Sequence, residues 1–202
     1  MSDENETIYR REACNLSMVR RVAAMLDLDV DAYVEGQALP RGWQFILMGA
    51  DTRRSQLRGD GFPGLGVPMP DLGFPRLMLG GRSVTYQADI PIGARLLRTS
   101  SIKSVSKKEN DQGGYAIVTV LNDLQVEGTC EVALTETQTY FLLPAGSAYK
   151  EDTRILALPD AKGQKIKTLT PDATLLFQFS ALGFNTHKIH IDRHHATQVE
   201  GF

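Results

Sequence analysis

All four histidines of this 202-residue chain, His187, His190, His194 and His195, lie within its last sixteen residues. Histidine changes charge near neutral pH and is a common metal ligand, so the clustering points to local chemistry. The segment reads Phe184-Asn185-Thr186-His187-Lys188-Ile189-His190-Ile191-Asp192-Arg193-His194-His195. Three readings fit these residue types. His187 and His190, with Asp192 or His194, offer imidazole and carboxylate ligands to a metal, but no strong zinc motif is present and Cys130 is far away in sequence. The histidines could instead be inert, hydrogen-bonded in a strand edge and a solvent-facing turn. Or one imidazole, with Asn185 and a second histidine beside it, could transfer protons.

The elements that would position these residues follow from the patterning. Residues 1–14 look polar and loosely ordered. Asn15 or Ser17 can cap a helix over 18–26 with Val19, Val22, Ala23 and Leu26 on one face, docked onto a sheet. Residues 36–81 interleave prolines with glycines and leave no room for a long periodic element; irregular stretches of this length tend to be functional loops or disordered. The lone tryptophan, Trp43, lies in this stretch, and Gly80-Gly81 closes it.

Period-two alternation begins at Arg82 with Val84, Tyr86, Ala88 and Ile90. A second strand over 96–105 leads into a polar hairpin connection over 106–114. The run 115–124 is apolar on both faces, which predicts a central strand. Cys130 to Leu143 reads as a long, threonine-rich strand. One helix followed by about four antiparallel strands predicts an α+β layer, which a hot-dog fold, a sheet wrapped around one long helix, would fit. Residues 144–169 read as a linker. A second helix is then announced by Thr170 as cap, Pro171 at the first position and Asp172 at the positive end of the dipole. Its stripe is Leu175, Leu176, Phe179 and Leu182, and it should end at Gly183.

Composition narrows the function classes. A hydrophobic fraction of 42% and a charged fraction of 23% are those of an ordinary globular chain. The net charge of −2 argues against a non-specific nucleic-acid binder. No run approaches the ~18 apolar residues of a membrane span. The acidic start, Met1 to Glu6, is not expected to be a signal or transit peptide. Cys14 and Cys130 are expected to be reduced thiols in a cytoplasmic protein.

The run from Phe177 to Asp192 resembles the hydratase motif of the MaoC-like 3-hydroxyacyl-thioester dehydratases, in particular the branch with mesaconyl-CoA hydratases and mitochondrial thioester dehydratases. Ala196-Thr197-Gln198-Val199-Glu200-Gly201, Leu39-Pro40-Arg41-Gly42-Trp43 and Gly80-Gly81-Arg82 resemble that branch as well, so the likeness touches nearly the whole chain. It implies a double hot-dog protein that adds or removes water across an enoyl thioester. The first hot-dog unit would span 1–143, and 170–202 would open a second, truncated one.

In the wider family an aspartate and a histidine, five residues apart, hold and activate the water. The histidine position is His190, and the aspartate position is Asn185, an amide that can orient water but cannot act as a base. His187 stands where the wider family has asparagine and is a secondary catalytic candidate. His194 and His195 fall outside the motif and should matter little. Trp43, Gly81 and Arg82 are the substrate-binding candidates; Arg41 and Arg76 are further arginines that could meet coenzyme A phosphates. No cofactor or metal is implied beyond the coenzyme A or acyl carrier of the substrate. A homo-oligomer, or a partner chain completing the second unit, is implied. In the family the oxyanion donors come from a helix beyond the position of Gly201, so the chain by itself is expected to turn over poorly. A non-catalytic acyl-thioester-binding module and a metal-binding protein are the alternatives.

Overall fold

The computed structural model describes residues 6–69, 71–110, 113–144 and 169–201. The expected linker over 144–169 lies, except at its ends, outside them. Five strands build one antiparallel sheet: β1 (Ile8–Ala13), β2 (Arg76–Tyr86), β3 (Arg95–Asn110), β4 (Gly113–Val126) and β5 (Val132–Leu143). Their order is β1-β3-β4-β5-β2, which makes β4 central, as its two apolar faces require. The strands differ from the sequence reading at their ends. β2 starts at Arg76 and takes in Gly80 and Gly81, and β3 and β4 extend through most of the expected hairpin connection. A Cβ at Gly80 would run into the Phe141 ring, which explains glycine at the register shift between Leu79 and Gly81.

β1 falls in the stretch that reads as loosely ordered. Its half-buried face carries Ile8, Arg10 and Glu12. Arg10 donates to Asp51 and to the Gly66 carbonyl, and Glu12 lies 3.1 Å from Arg98. Charged residues thus occupy positions where a strand normally shows apolar ones.

The helix α1 (Leu16–Met25) buries Val19, Val22 and Ala23. Val19 belongs to one apolar cluster with Leu96, Leu124 and Leu134 of the sheet, so the helix docks by its expected face; Leu26 lies just past its end and is half-buried. This is the hot-dog arrangement, with a helix of ten residues rather than a long one. The helix stops because Asp27 takes a left-handed φ of 52° and Leu28 N–H bonds back to the Ala23 carbonyl.

A second apolar cluster gathers Val118, Val120, Tyr140 and Leu142 with Leu65 and Val67 of the glycine- and proline-rich loop. Between the two clusters the inward face of the sheet carries a buried polar row of Arg98, Ser100, Asn122, Glu136 and Gln138. Buried polar groups are tolerated when they are paired. Ser100 Oγ donates to Asn122 Oδ1 at 2.7 Å, Gln44 Nε2 and Gln138 Nε2 donate to the two oxygens of Glu136, and Arg98 donates to the Leu47 and Gly49 carbonyls.

After the undescribed stretch, α2 (Ala173–Leu182) lies against α1. Its cap is Asp172, which accepts from Leu175 N–H, two residues later than the expected Thr170. Its expected apolar stripe is not buried among the described residues: Leu176 and Phe179 are exposed, although Phe179 stacks on Phe45 at 4.6 Å. No helix among the described residues is long and apolar enough to cross a membrane. Cys14 is buried and Cys130 exposed, both as free thiols, and burial pushes the Cys14 thiol up to about 11.

Candidate active site

The histidine segment leaves α2 through a turn in which Phe184 takes a φ of 49°. Ser180 Oγ donates to the Asn185 carbonyl there, and Gly49 lies against Gly183 and Phe184. An extended segment would turn His190 and Asp192 to one side. The segment instead forms a short helical turn, α3 (Lys188–Ile191), followed by a π-helical turn, His195–Val199. The β-branched pair Ile189 and Ile191 favours a strand, but capping overrides it. His187 Nδ1 accepts from Ile189 N–H at 3.1 Å, and Lys188 N–H donates to the Asp60 carbonyl at 2.8 Å. Asp192 is exposed and caps the next turn, accepting from His195 N–H.

Asn185, His187 and His190 come together. Asn185 Oδ1 accepts from His187 N–H at 3.1 Å, which turns the amide so that Nδ2 lies 3.2 Å from His190 Nε2. The amide donates, so Nε2 of His190 is the acceptor and the proton of the neutral ring sits on Nδ1. His190 is half-buried. Burial, and secondarily the nearby His187, lower its pKa from the ordinary histidine value, so the ring is neutral at neutral pH. A neutral imidazole beside an oriented amide can accept a proton from a water that enters and replaces their direct hydrogen bond.

His187 is buried, and its Nε2 lies 3.4 Å from Asp60 Oδ2. Burial by itself would raise the Asp60 carboxyl. His187, the Phe62 amide and Arg58 outweigh it and hold the group well below the usual carboxylate range. Asp60 belongs to the tight turn over residues 58–62, whose backbone grips the motif. Thr186 Oγ1 donates to the Gly61 carbonyl at 2.7 Å and Lys188 Nζ to the Gly59 carbonyl at 2.9 Å. Gly61 has a φ of 79°, and a Cβ there would stand 2.5 Å from the Thr186 oxygen.

The structure separates the two remaining histidines. His194 is exposed, whereas His195 is half-buried, 3.6 Å from Glu200 and with its ring 6.0 Å from that of His187. Among the described residues no three His, Cys, Asp or Glu side chains converge as a metal cage.

Trp43, Gly81 and Arg82 make their contacts elsewhere. Trp43 packs on Tyr33 at the edge of the first cluster, Gly81 sits in β2 opposite Thr139, and Arg82 lies 3.7 Å from the buried Glu136. Arg41 stacks over Tyr86. Arg76, a possible phosphate ligand by sequence, is engaged instead with Glu200, at 2.7 Å, and with the Glu200 carbonyl. Sequence reading missed Asp60 and the Arg76–Glu200 pair. The available signal was a carboxylate between two glycines, Gly59 and Gly61, in a loop already suspected of function.

Comparison with known proteins shows the family of the chain. A family model described as hydroxyacyl-thioester dehydratase type 2 matches residues 42–202. The mesaconyl-C(4)-CoA hydratase of Chloroflexus aurantiacus is 31% identical over 188 residues, covering 93% of this chain. The chain spans 66% of that relative's length. Two solved structures share the fold at low identity. A MaoC-like dehydratase superposes with a TM-score of 0.63 at 13% identity, over 98% of this chain and 71% of its own. HtdX of Mycobacterium tuberculosis superposes with 0.57 at 16%, over 96% and 67%. The motif that holds Asn185 and His190 lies inside the matched region, and the chain belongs to the MaoC-like hot-dog family of hydroxyacyl-thioester dehydratases, type 2.

Proposed function

We propose that this protein is a hydro-lyase that adds water to, or removes it from, the C=C bond of an enoyl thioester carried by coenzyme A or an acyl carrier. The observation that carries the reading is the convergence of Asn185 Nδ2 and His190 Nε2, 3.2 Å apart and half-buried. In the hydration direction, a water takes the place of the direct Asn185–His190 hydrogen bond, accepts from Asn185 Nδ2 and gives a proton to the freed His190 Nε2. Its oxygen bonds to Cβ as the C=C electrons move onto the thioester as an enolate. The imidazolium returns the proton to Cα, so one water is added and His190 is regenerated. Asn185 orients the water; His187 fixes Asn185. Water addition needs no redox partner, so this reading calls for no cofactor beyond the carrier of the substrate. Arg82, its side chain 42% exposed, is the substrate-binding candidate best placed to meet a solvent-side phosphate. A cytoplasmic setting and self-association or a partner chain complete the reading; light scattering of the purified protein tests the latter.

The direct assay follows loss of the conjugated enoyl absorbance with mesaconyl-CoA and a short straight-chain enoyl-CoA. Slow but measurable turnover by the wild type, as expected of this chain by itself, lost in His190→Ala and reduced in Asn185→Ala with unchanged circular dichroism, is the expected result. Absence of wild-type turnover on both substrates, or near-normal turnover by His190→Ala, overturns the reading.

A further inference from the structure

Asp60 lies 125 residues before Asn185, and its carboxylate is not needed to dock its own loop. The docking bonds run through backbone carbonyls: Gly59 to Lys188 Nζ, Asp60 to Lys188 N–H, and Gly61 to Thr186 Oγ1. The carboxylate instead accepts from Phe62 N–H at 2.9 Å, pairs with Arg58, and faces the Nε2 of His187. His187 Nδ1 already accepts from Ile189 N–H. The neutral ring must therefore carry its proton on Nε2, the atom that faces Asp60.

We propose that Asp60 is a positioning residue for the water-adding pair, acting through His187: it holds the Nε2–H tautomer, which frees Nδ1 to cap α3 and keeps the His187 amide on Asn185 Oδ1, and that bond aims Asn185 Nδ2 at His190. The proposal rests on the hydro-lyase reading. The other charged or titratable groups facing this chain of contacts are Arg58 on the loop side and Lys188, His190, His195 and Glu200 on the motif side.

The test uses Asp60→Asn. Whichever way the new amide turns, its NH2 group faces a donor: Phe62 N–H on one side, or Arg58 and His187 Nε2–H on the other. The favoured relief is a switch of His187 to the Nδ1–H tautomer, at the cost of the Ile189 cap. Ring ¹⁵N chemical shifts of His187 report the tautomer directly. The expected result is a switched or mixed tautomer in Asp60→Asn. It is accompanied by a fall in kcat of roughly 10–100-fold, the scale on which outer carboxylates that fix an imidazole act, with KM little changed. Thr186→Val removes a docking bond without touching the relay and should leave the ring signals in place. His187→Asn keeps an acceptor for Ile189 N–H, and in its background Asp60→Asn should lower kcat no further.

An unchanged His187 tautomer in Asp60→Asn, an unchanged kcat, or the same tautomer switch in Thr186→Val overturns the proposal. If the tautomer switches but the wild type hydrates no enoyl thioester, the hydro-lyase reading is overturned while the Asp60–His187 contact stands.

Discussion

The sheet and the histidine segment are built on opposite terms. In β4 every second residue from Ala116 to Leu124 is buried, and ladder bonds to β3 and β5 fix each one. In the segment over 184–201 only His187 is buried, and its backbone runs through two short turns. It is held from outside, by the carbonyls of the loop over 59–61 and by Arg76 on Glu200. Repeated local bonds make the sheet tolerant of small displacements, because each neighbour is fixed separately. The segment depends on a few distant contacts, so a small local change can alter its geometry while the bulk of the fold remains.

The widest contrast comes from one residue in each region. His190→Ala should cost about 10²–10⁴ in kcat, read by steady-state hydration, with an unchanged melting curve. Leu124→Ala, at a position with no exposure, should cost about 2–5 kcal/mol of stability in urea unfolding, while the fraction that stays folded keeps its kcat. If the two losses trade places, the division of labour is wrong.

Gly61→Ala probes the clamp between the regions. The left-handed backbone and the contact with Thr186 together should cost about 1–3 kcal/mol. Hydrogen exchange should localise the damage: faster at Lys188 N–H and unchanged at Val118 and Val120. Equal acceleration in both places would show that the loop belongs to the cooperative core.

A smaller effect concerns pH. Because burial lowers the pKa of His190, its neutral, proton-accepting form persists below the ordinary histidine value of about 6.5. The acid limb of the kcat/KM profile should therefore lie below that pH. The same shift acts on folding. In the window between the lowered native value and about 6.5 the unfolded chain binds the proton that the native ring refuses, so this group's contribution to stability falls as pH drops through the window. An acid limb above 6.5 contradicts this.

The smallest effect is expected of His194→Ala, which should change stability by no more than about 0.5 kcal/mol and leave turnover unaltered, because the residue is exposed. Sequence reading expected the same of His195. The structure sets His195 apart from His194, because it is half-buried between His187 and Glu200, so His195→Ala is expected to cost more stability than His194→Ala.

What could be read in the sequence follows the same division. The alternation of Ala116, Val118 and Val120 revealed a central strand because the burial pattern is written in adjacent residues. β1 escaped because Arg10 and Glu12 occupy its inward positions and are satisfied only by partners far along the chain. Asn185 and His190 were legible as a motif. The helical turn between them was not, because the contacts that start it include the Asp60 carbonyl, contributed by a loop that has no periodicity. Arg76 and Glu200, 124 residues apart, left no local trace of their pairing.

The buried polar row bears on how β5 finds its place. Alternation alone cannot distinguish a strand from the same strand slid by two residues, since both put the same face inward. In the native register Glu136 lies opposite Asn122 and within reach of Gln44. A slide of two would set it against Leu124 or Val120, a carboxylate opposite an aliphatic side chain with its Gln44 donor left behind. Such a slip costs several kcal/mol where an all-apolar face would allow it almost freely. The row therefore acts as an alignment mark: it weakens the packing that a continuous apolar face would give, and in return it makes a single pairing of these long strands much more stable than its nearest rivals.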